Sequence, residues 1–364
     1  MMNICEENKC TGCGACLNVC PKQCISMTYN SRLELVPQIG TDCVNCGLCK
    51  KKCPVNNSSE NKNKSLKCYA AYSSSYRESS SSGGIASSLA NAILTDGGVV
   101  CGCIFDGKVH HIVSSDKDTV YAMRGSKYVQ SQTDRCYAEI KKIIATRKCL
   151  FIGTPCQVAA VKSIVGNSEN IYCIDLICHG TPSPRYLQEV IESFGGCENI
   201  SFRNNDNFTM TVDGKSSNIS ERYMMSFLNG LTFRESCYSC PFAEKDRVGD
   251  ITLGDFWEIK NFKNKQSGVS LVLINSSKGE ELLQMATDDI VFEERTFEEA
   301  YFGNPQLVHP SIPHKNRKKY IELLSDTKKF DTTVKQLLYK ERLKNWLKKR
   351  ELVKLILRLK NRGK

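Results

Sequence analysis

No stretch of 18 or more apolar residues occurs in the 364-residue chain, so nothing in it is built to span a bilayer as a helix. The first residues, MMNICEENKC, lack the apolar core of a secretory signal, and the chain is expected to stay in the cytoplasm. Excess basic charge is nearly absent outside one segment. The net charge of +11 would suggest a nucleic-acid partner, yet twelve Lys or Arg against two Glu fall between Lys335 and the C-terminus. The remainder is close to neutral, which excludes nucleic-acid binding by the body of the protein. The hydrophobic fraction of 41% is ordinary for a globular protein, and the length predicts two or three domains.

What the chain has in excess is cysteine, with 21 residues. In a reducing compartment that abundance points to metal ligation or redox chemistry, and the odd count argues against a fully paired disulfide scaffold. Cys10-x-x-Cys13-x-x-Cys16-x-x-x-Cys20-Pro21 recurs as Cys43-x-x-Cys46-x-x-Cys49-x-x-x-Cys53-Pro54. This is the bacterial two-cluster ferredoxin run, in which the fourth cysteine of each copy serves the other cluster. Three closely spaced thiolates wrap three irons of a cubane, and the proline turns the fourth cysteine away. One 4Fe–4S cluster is thus expected on Cys10, Cys13, Cys16 and Cys53, and another on Cys43, Cys46, Cys49 and Cys20. Gly12, Gly14 and Gly47 let backbone amides approach the cluster sulfides. Structural zinc is the rival, but zinc ribbons use paired Cys-x-x-Cys rather than triplets with a following fourth cysteine. Cys5 and Cys24 lie outside the pattern and read as non-ligands.

Residues 1–57 thus form the ferredoxin-type module, and the polar run that follows, 58–67, reads as an exposed linker. From Cys68 onward the pattern is mixed α/β. Ser82-Gly83-Gly84 leads into a helical segment from Ile85 to Leu94, Asp96-Gly97-Gly98 closes it, and Val99-Val100 opens a strand. Cys149–Ile152 and Ile171–Ile177 are short apolar runs suited to buried strands, each ended by a Gly- or Pro-containing turn. Residues 200–213 alternate like antiparallel strands near Asp213-Gly214. The expected fold class is α+β multidomain: a ferredoxin-like module, a mixed α/β flavin-binding body and a basic C-terminal helix.

Six landmarks then follow in order: Ser82-Gly83-Gly84, Gly125-Ser126-Lys127-Tyr128, Gly153-Thr154-Pro155-Cys156-Gln157, Cys178-His179-Gly180, Cys237-Tyr238-Ser239-Cys240-Pro241 and Gly249–Asp255. With the ferredoxin repeat, the sequence resembles the coenzyme F420 hydrogenase/dehydrogenase beta-subunit family, which includes the plant 7-hydroxymethyl chlorophyll a reductase. The resemblance divides the body into an N-terminal part, 68–145, and a C-terminal part, 146–330, ahead of a tail at 331–364. It implies a flavoenzyme that binds FAD beside iron–sulfur clusters and passes electrons to or from a two-electron acceptor. The name's deazaflavin carries little weight, since nothing in the sequence identifies a pocket for it.

Read from the residues, Ser82, Gly83 and Gly84 at a helix start offer amides suited to a phosphate, the rival being a flexible loop. Gly125, Ser126, Lys127 and Tyr128 offer a cation, a hydroxyl and a ring for flavin, the rival being an ordinary turn. Cys156, Cys178, Cys237 and Cys240 are candidates for a third 4Fe–4S cluster. Cys156 and Cys178 would emerge at the same carboxyl edge if their strands are neighbours. The alternative gives Cys237 and Cys240 zinc or nothing and leaves Cys156 and Cys178 as small buried residues. His179 is a candidate proton donor, against the reading of a structural histidine. Asp250 and Asp255 read as caps rather than ribose contacts.

In the tail, Leu338, Leu343, Trp346, Leu347, Val353, Ile356 and Leu359 recur at near-helical spacing among basic residues. This pattern fits a peripheral membrane surface at the inner face, an acidic partner, or packing on the protein's own body. Taken together, the sequence predicts an iron–sulfur flavoprotein oxidoreductase that exchanges single electrons with a ferredoxin or a partner subunit. Its FAD would transfer a hydride equivalent to or from a small organic substrate. The alternatives are an electron-transfer subunit without a substrate pocket, and a scaffold whose clusters are structural.

Overall fold

The computed structural model describes residues 3–60, 62–203, 207–262 and 268–349. The strands are β1 (Ile25–Tyr29), β2 (Leu35–Ile39), β3 (Lys67–Ser73), β4 (Val99–Phe105), β5 (Val109–Ser114), β6 (Cys149–Gly153), β7 (Ile171–Leu176), β8 (Ile200–Ser201), β9 (Thr211–Val212), β10 (Ile251–Asp255), β11 (Ser270–Ile274) and β12 (Ile290–Arg295). The helices are α1 (Ala15–Val19), α2 (Leu48–Lys51), α3 (Ile85–Thr95), α4 (Lys117–Ala122), α5 (Cys136–Ile143), α6 (Pro155–Val165), α7 (Pro184–Ser193), α8 (Asn218–Leu228), α9 (Ser277–Gln284), α10 (Phe297–Phe302), α11 (Arg317–Thr327), α12 (Phe330–Leu337) and α13 (Tyr339–Lys349).

The cysteine repeat folds as a structural repeat. Each triplet runs into a short helix whose N-cap is a glycine in the left-handed region, Gly14 at φ 80° before α1 and Gly47 at φ 75° before α2. A side chain at either position would be strained, because only glycine adopts positive φ without a Cβ clash. The β1–β2 hairpin, paired from Ile25–Ile39 to Tyr29–Leu35, connects the two copies.

The body is built on one eight-stranded mixed sheet in the order β12-β3-β11-β10-β7-β6-β4-β5. The expected strands at 149–152 and 171–177 are β6 and β7, and they pair in parallel with Gly153 opposite Asp175. Both faces are covered, as a largely buried parallel core requires. Val99, Cys101, Cys149, Phe151, Ile171 and Cys173 face α5 and α6. Val100, Leu150, Tyr172 and Ile174 face α3 and α9. The sheet draws strands from both sides of residue 145, with β3 seated between β12 and β11. A second core of α7, α8, α11 and α12 buries Tyr186, Tyr223, Tyr320 and Phe330 beside the short β8–β9 pair.

The ferredoxin module is packed onto the sheet rather than tethered to it. Ala15 and Cys13 share a core with Tyr137, Phe151 and Val158. Asn18 donates to the Asp134 carbonyl at 2.7 Å and accepts from the Ala138 amide at 3.1 Å, closing the start of α5. Lys52 Nζ donates to the Ser163 carbonyl at 2.6 Å. The segment 58–67 has no buried residue among those described, yet it is tied to the body. Lys62 forms an ion pair with Glu244, and Asn63 exchanges backbone hydrogen bonds with Arg247 at 2.8 Å. Polar residues can be ordered by partners distant in sequence, which local composition does not reveal.

The tail enters the second core before it leaves the body. Leu338 is fully buried, whereas Leu343 is 54% exposed. For Trp346 and Leu347 only the helical backbone of α13 is described, and Val353, Ile356 and Leu359 lie outside the described residues. Among the described residues no helix is long and apolar enough to cross a membrane.

Candidate functional site

A narrow cavity in the N-terminal module is walled by Ile4, Cys5, Cys10, Cys13, Cys16 and Cys53. The crossed ligand set predicted from spacing is thus gathered around one apolar space, with Cys53 brought to the first loop. Burial pushes the Cys16 thiol up to about 12, with the charges of Cys10 and Cys53 acting in the same direction. Cys10 is lowered to about 6 and Cys53 to about 7, in each case first by a hydrogen bond from the Cys5 thiol. Cys5, set aside on sequence grounds, therefore stands directly beside this set.

The second set is assembled in the same way. Burial, followed by the charges of Cys46 and Cys20, raises the Cys49 thiol, which places the fourth cysteine of the first copy with the second triplet. Cys24 Sγ lies 3.5 Å from Cys20 Sγ. Exposure separates the two sets. All four cysteines of the first are buried, whereas Cys46 is exposed and Cys20 and Cys43 are half-buried.

The four body cysteines converge from three segments at the carboxyl edge of the sheet. Thr154 and Gln157 form a capping box that starts α6 and fixes Cys156 in its first turn. Cys178 follows β7, the parallel neighbour of β6. Cys237 and Cys240 lie on a 3-10 turn beginning at Glu235, held against the same edge by the Arg234 amide donating to the Thr181 carbonyl at 2.9 Å. Burial, then the charge of Cys237 and next that of Cys156, holds Cys178 well above the usual thiol range. Burial pushes Cys156, Cys237 and Cys240 up to about 11, with neighbouring thiols of this set acting in the same direction.

This third set adjoins the first. Burial and then the charge of Cys156 raise the Cys13 thiol. The first loop is clamped to the body at its backbone: Gln130 Nε2 donates to the Gly12 carbonyl at 3.1 Å, Thr133 Oγ1 and Tyr137 Oη to Cys13, and Arg234 Nε to Cys10 at 2.6 Å. A Cβ at Gly12 would run into the Gln130 amide and come within 2.9 Å of Arg234 Nη1. Among the described residues no three metal-binding groups surround one point closely enough for a single ion. A cubane does not ask for that, because each thiolate binds a different iron. Thiolate-only sets of four suit iron–sulfur chemistry.

At the same sheet edge the two loops read as flavin contacts meet. The Ser126 amide donates to Ser81 Oγ at 3.1 Å, and Arg124 Nη1 donates to Ser79 Oγ at 2.7 Å. Gly84 caps α3, while the Gly83 amide is spent on Ser270 Oγ at 2.9 Å and Ser82 Oγ on the Val269 carbonyl. Lys127 turns inward, its ammonium donating to the carbonyls of Met123, Arg124 and Gly125, so it closes the end of α4. Tyr128 stacks on Phe227 with ring centroids 4.6 Å apart.

His179 follows Cys178 and is exposed. Partial desolvation of the ring lowers its pKa, and the Asp255 carboxylate opposes that shift. Asp255 in turn pairs with Arg203 at 2.7 Å, whose guanidinium lies 5.3 Å from the Trp257 ring. Asp250 is buried in the sheet region, accepting from the Cys173 amide and pairing with Lys162 at 3.2 Å. Sequence reasoning passed over Gln130, Thr133, Tyr137, Arg203 and Arg234. Their polar side chains look solvated in sequence, and only the cysteine motifs nearby would have drawn attention to them.

Three family profiles match the chain. They are a 4Fe-4S dicluster domain over residues 9–57, the coenzyme F420 hydrogenase/dehydrogenase beta subunit N-term over 68–136, and the C terminus of the same subunit over 146–300. One solved structure, described as a xenon derivatization of the F420-reducing [NiFe] hydrogenase complex from Methanosarcina barkeri, is similar at 16% identity with a TM-score of 0.48. That alignment covers 77% of this chain and 94% of that one. No curated protein matches. The two beta-subunit profiles together span more than half of the sequence, and the chain belongs to the coenzyme F420 hydrogenase/dehydrogenase beta-subunit family, with a 4Fe–4S domain ahead of the family body.

Proposed function

We propose that this iron–sulfur electron-transfer protein is an oxidoreductase with three 4Fe–4S clusters and one FAD, exchanging electrons between a separate protein carrier and a small organic substrate. Bound clusters supply one-electron transfer, and a bound flavin converts single electrons into hydride equivalents. Cys10, Cys13, Cys16 and Cys53 hold one cluster, Cys43, Cys46, Cys49 and Cys20 a second, and Cys156, Cys178, Cys237 and Cys240 the third. The observation that carries this reading is the convergence of the four body thiols beside Cys13. For FAD the support is the meeting of the 79–84 and 125–128 turns at the start of α3, with Arg124 beside them. Lys127 acts by holding that turn, not as a free cation. His179, next to Cys178 and exposed, is the candidate proton-transfer group of this edge.

Anaerobic isolation of the full chain, with iron, acid-labile sulfide and extractable flavin counted, tests this. About twelve irons with one FAD is the expected result. About eight irons without flavin would leave only a relay subunit, and zinc in place of iron would overturn the reading.

Electrons enter at the second set, because its cysteines reach the surface. Val44 is 59% exposed and Leu48 38%, flanking exposed Cys46, and Lys22, Lys50 and Lys51 are exposed around them against the single acid Asp42. An apolar centre with a basic rim fits an acidic one-electron carrier such as a ferredoxin. Reversing the three lysines to glutamate should slow reduction by such a carrier at least tenfold at low salt. The deficit should shrink as salt screens it, with iron content unchanged. A rate unaffected by the reversal would remove this face as the entry point.

A further inference from the structure

Among the described residues Arg234 is a buried cation without a carboxylate partner. Its side chain belongs to a residue only 2% exposed. Nε donates to the Cys10 carbonyl at 2.6 Å and Nη1 to Gln130 Oε1 at 3.1 Å, while Nη2 has no partner. The Ser236 hydroxyl, two residues on, is a second buried donor without a partner. The acids nearby are already matched. Glu34 pairs with Arg32 at 3.1 Å and lies 3.8 Å from Arg317, and Glu235 pairs with Arg317 at 3.0 Å. Arg32 also pairs with Glu7 at 3.3 Å, so among the described residues Arg234 is the guanidinium here left in no ion pair, in a region where an uncompensated buried charge is costly.

Three thiols feel that unpaired charge. Burial pushes Cys156 and Cys237 upward, and the Arg234 guanidinium pulls both the other way. After the hydrogen bond from Cys5, Arg234 is also among the causes that lower Cys10. Arg234 therefore stands between the first N-terminal set and the body set, touching the backbone of one and preceding the Cys237–Cys240 turn of the other. We propose that Arg234 is the counter-ion of these two thiolate centres and sets their reduction potentials. The inference rests on the cysteine sets holding iron as described above. A cluster on four thiolates is anionic and gains negative charge on reduction, so a fixed buried cation favours the reduced form and raises the potential. Arg234 positions and tunes; it takes no part in bond making.

The test is a redox titration of the full, anaerobically loaded chain followed by electron paramagnetic resonance, comparing the unaltered protein with Arg234→Gln and Arg234→Lys. Both substitutions lose the Nε bond to Cys10, but only glutamine loses the charge. The Gln variant should lower the midpoint of at least one centre enough to change its reduced-to-oxidised ratio tenfold at a fixed poise, which is 59 mV for one electron. The Lys variant should stay within about threefold. Loss of iron from the Gln variant alone would carry the same meaning, since the charge would then be needed to hold the cluster. Equal shifts in both variants, equal iron loss in both, or no shift in either would overturn the assignment while leaving the clusters in place. An unaltered chain without iron would overturn both readings.

Discussion

Replacing Cys237 by serine is expected to remove about four irons from the full chain and leave about eight, because only one of the three proposed cubanes would lose a ligand. Cys237 is half-buried beside the other thiols of its set, and partial burial with the charge of Cys156 raises its pKa. Serine offers no thiolate, and its hydroxyl is a far weaker ligand for iron. Cys197→Ser, at a half-buried cysteine outside the three sets, should lose none. The result that sinks the third centre is an iron count equal in the two variants. A loss well beyond four would instead mean that the first set depends on the body set, through the shared wall at Cys13 and Cys156.

The second large effect concerns stability. Asp175 on β7 is fully buried and pairs with Arg247, itself 1% exposed, at 3.1 Å, while accepting from the Gly249 amide at 2.9 Å. Arg247 also donates to the carbonyls of Phe242 and Glu244, so one guanidinium shapes the segment that leaves Cys240. Asp175→Ala strands this cation in the interior and should cost about 3–5 kcal/mol, read as a lower denaturation midpoint of the iron-free chain. Replacing both partners with apolar residues of similar volume should recover most of the loss. A single-variant cost under about 1 kcal/mol would show that water reaches the site and compensates the charge. Because the segment after Cys240 hangs on Arg247, the loaded Asp175→Ala chain should also hold less iron at the body set than at the N-terminal sets.

The two predictions differ in how far they were legible beforehand. Cys237 was visible because Cys-x-x-Cys followed by proline is a local chemical pattern, fixed by the covalent chain. The same holds for the N-terminal repeat and for the short apolar runs that became β6 and β7. Asp175 and Arg247 were not visible, because a charged residue in sequence carries no mark of the desolvation it will meet. Lys127 shows the converse: the sequence offers its ammonium to a cofactor, and only the structure shows it donating to three carbonyls of its own turn. The polar run after Asn57 looked like a spacer, yet Lys62 and Asn63 are bound to residues near Cys240.

By itself the sequence determined that residues 9–57 carry a 4Fe–4S domain, since cysteine spacing of two and three residues decides what one loop can wrap. It also determined the alternation of strand and helix in the body, through short apolar runs closed by Gly and Pro. Only the tertiary structure decided that Cys13 meets Cys156, that the body thiols converge from three segments, and that Arg234 is left among them without an acid. Those outcomes depend on parallel pairing of β6 with β7 and on docking of α1 against α5 and α6, contacts between residues far apart in the chain. Packing and desolvation choose such contacts, and neither leaves a local trace in the order of residues.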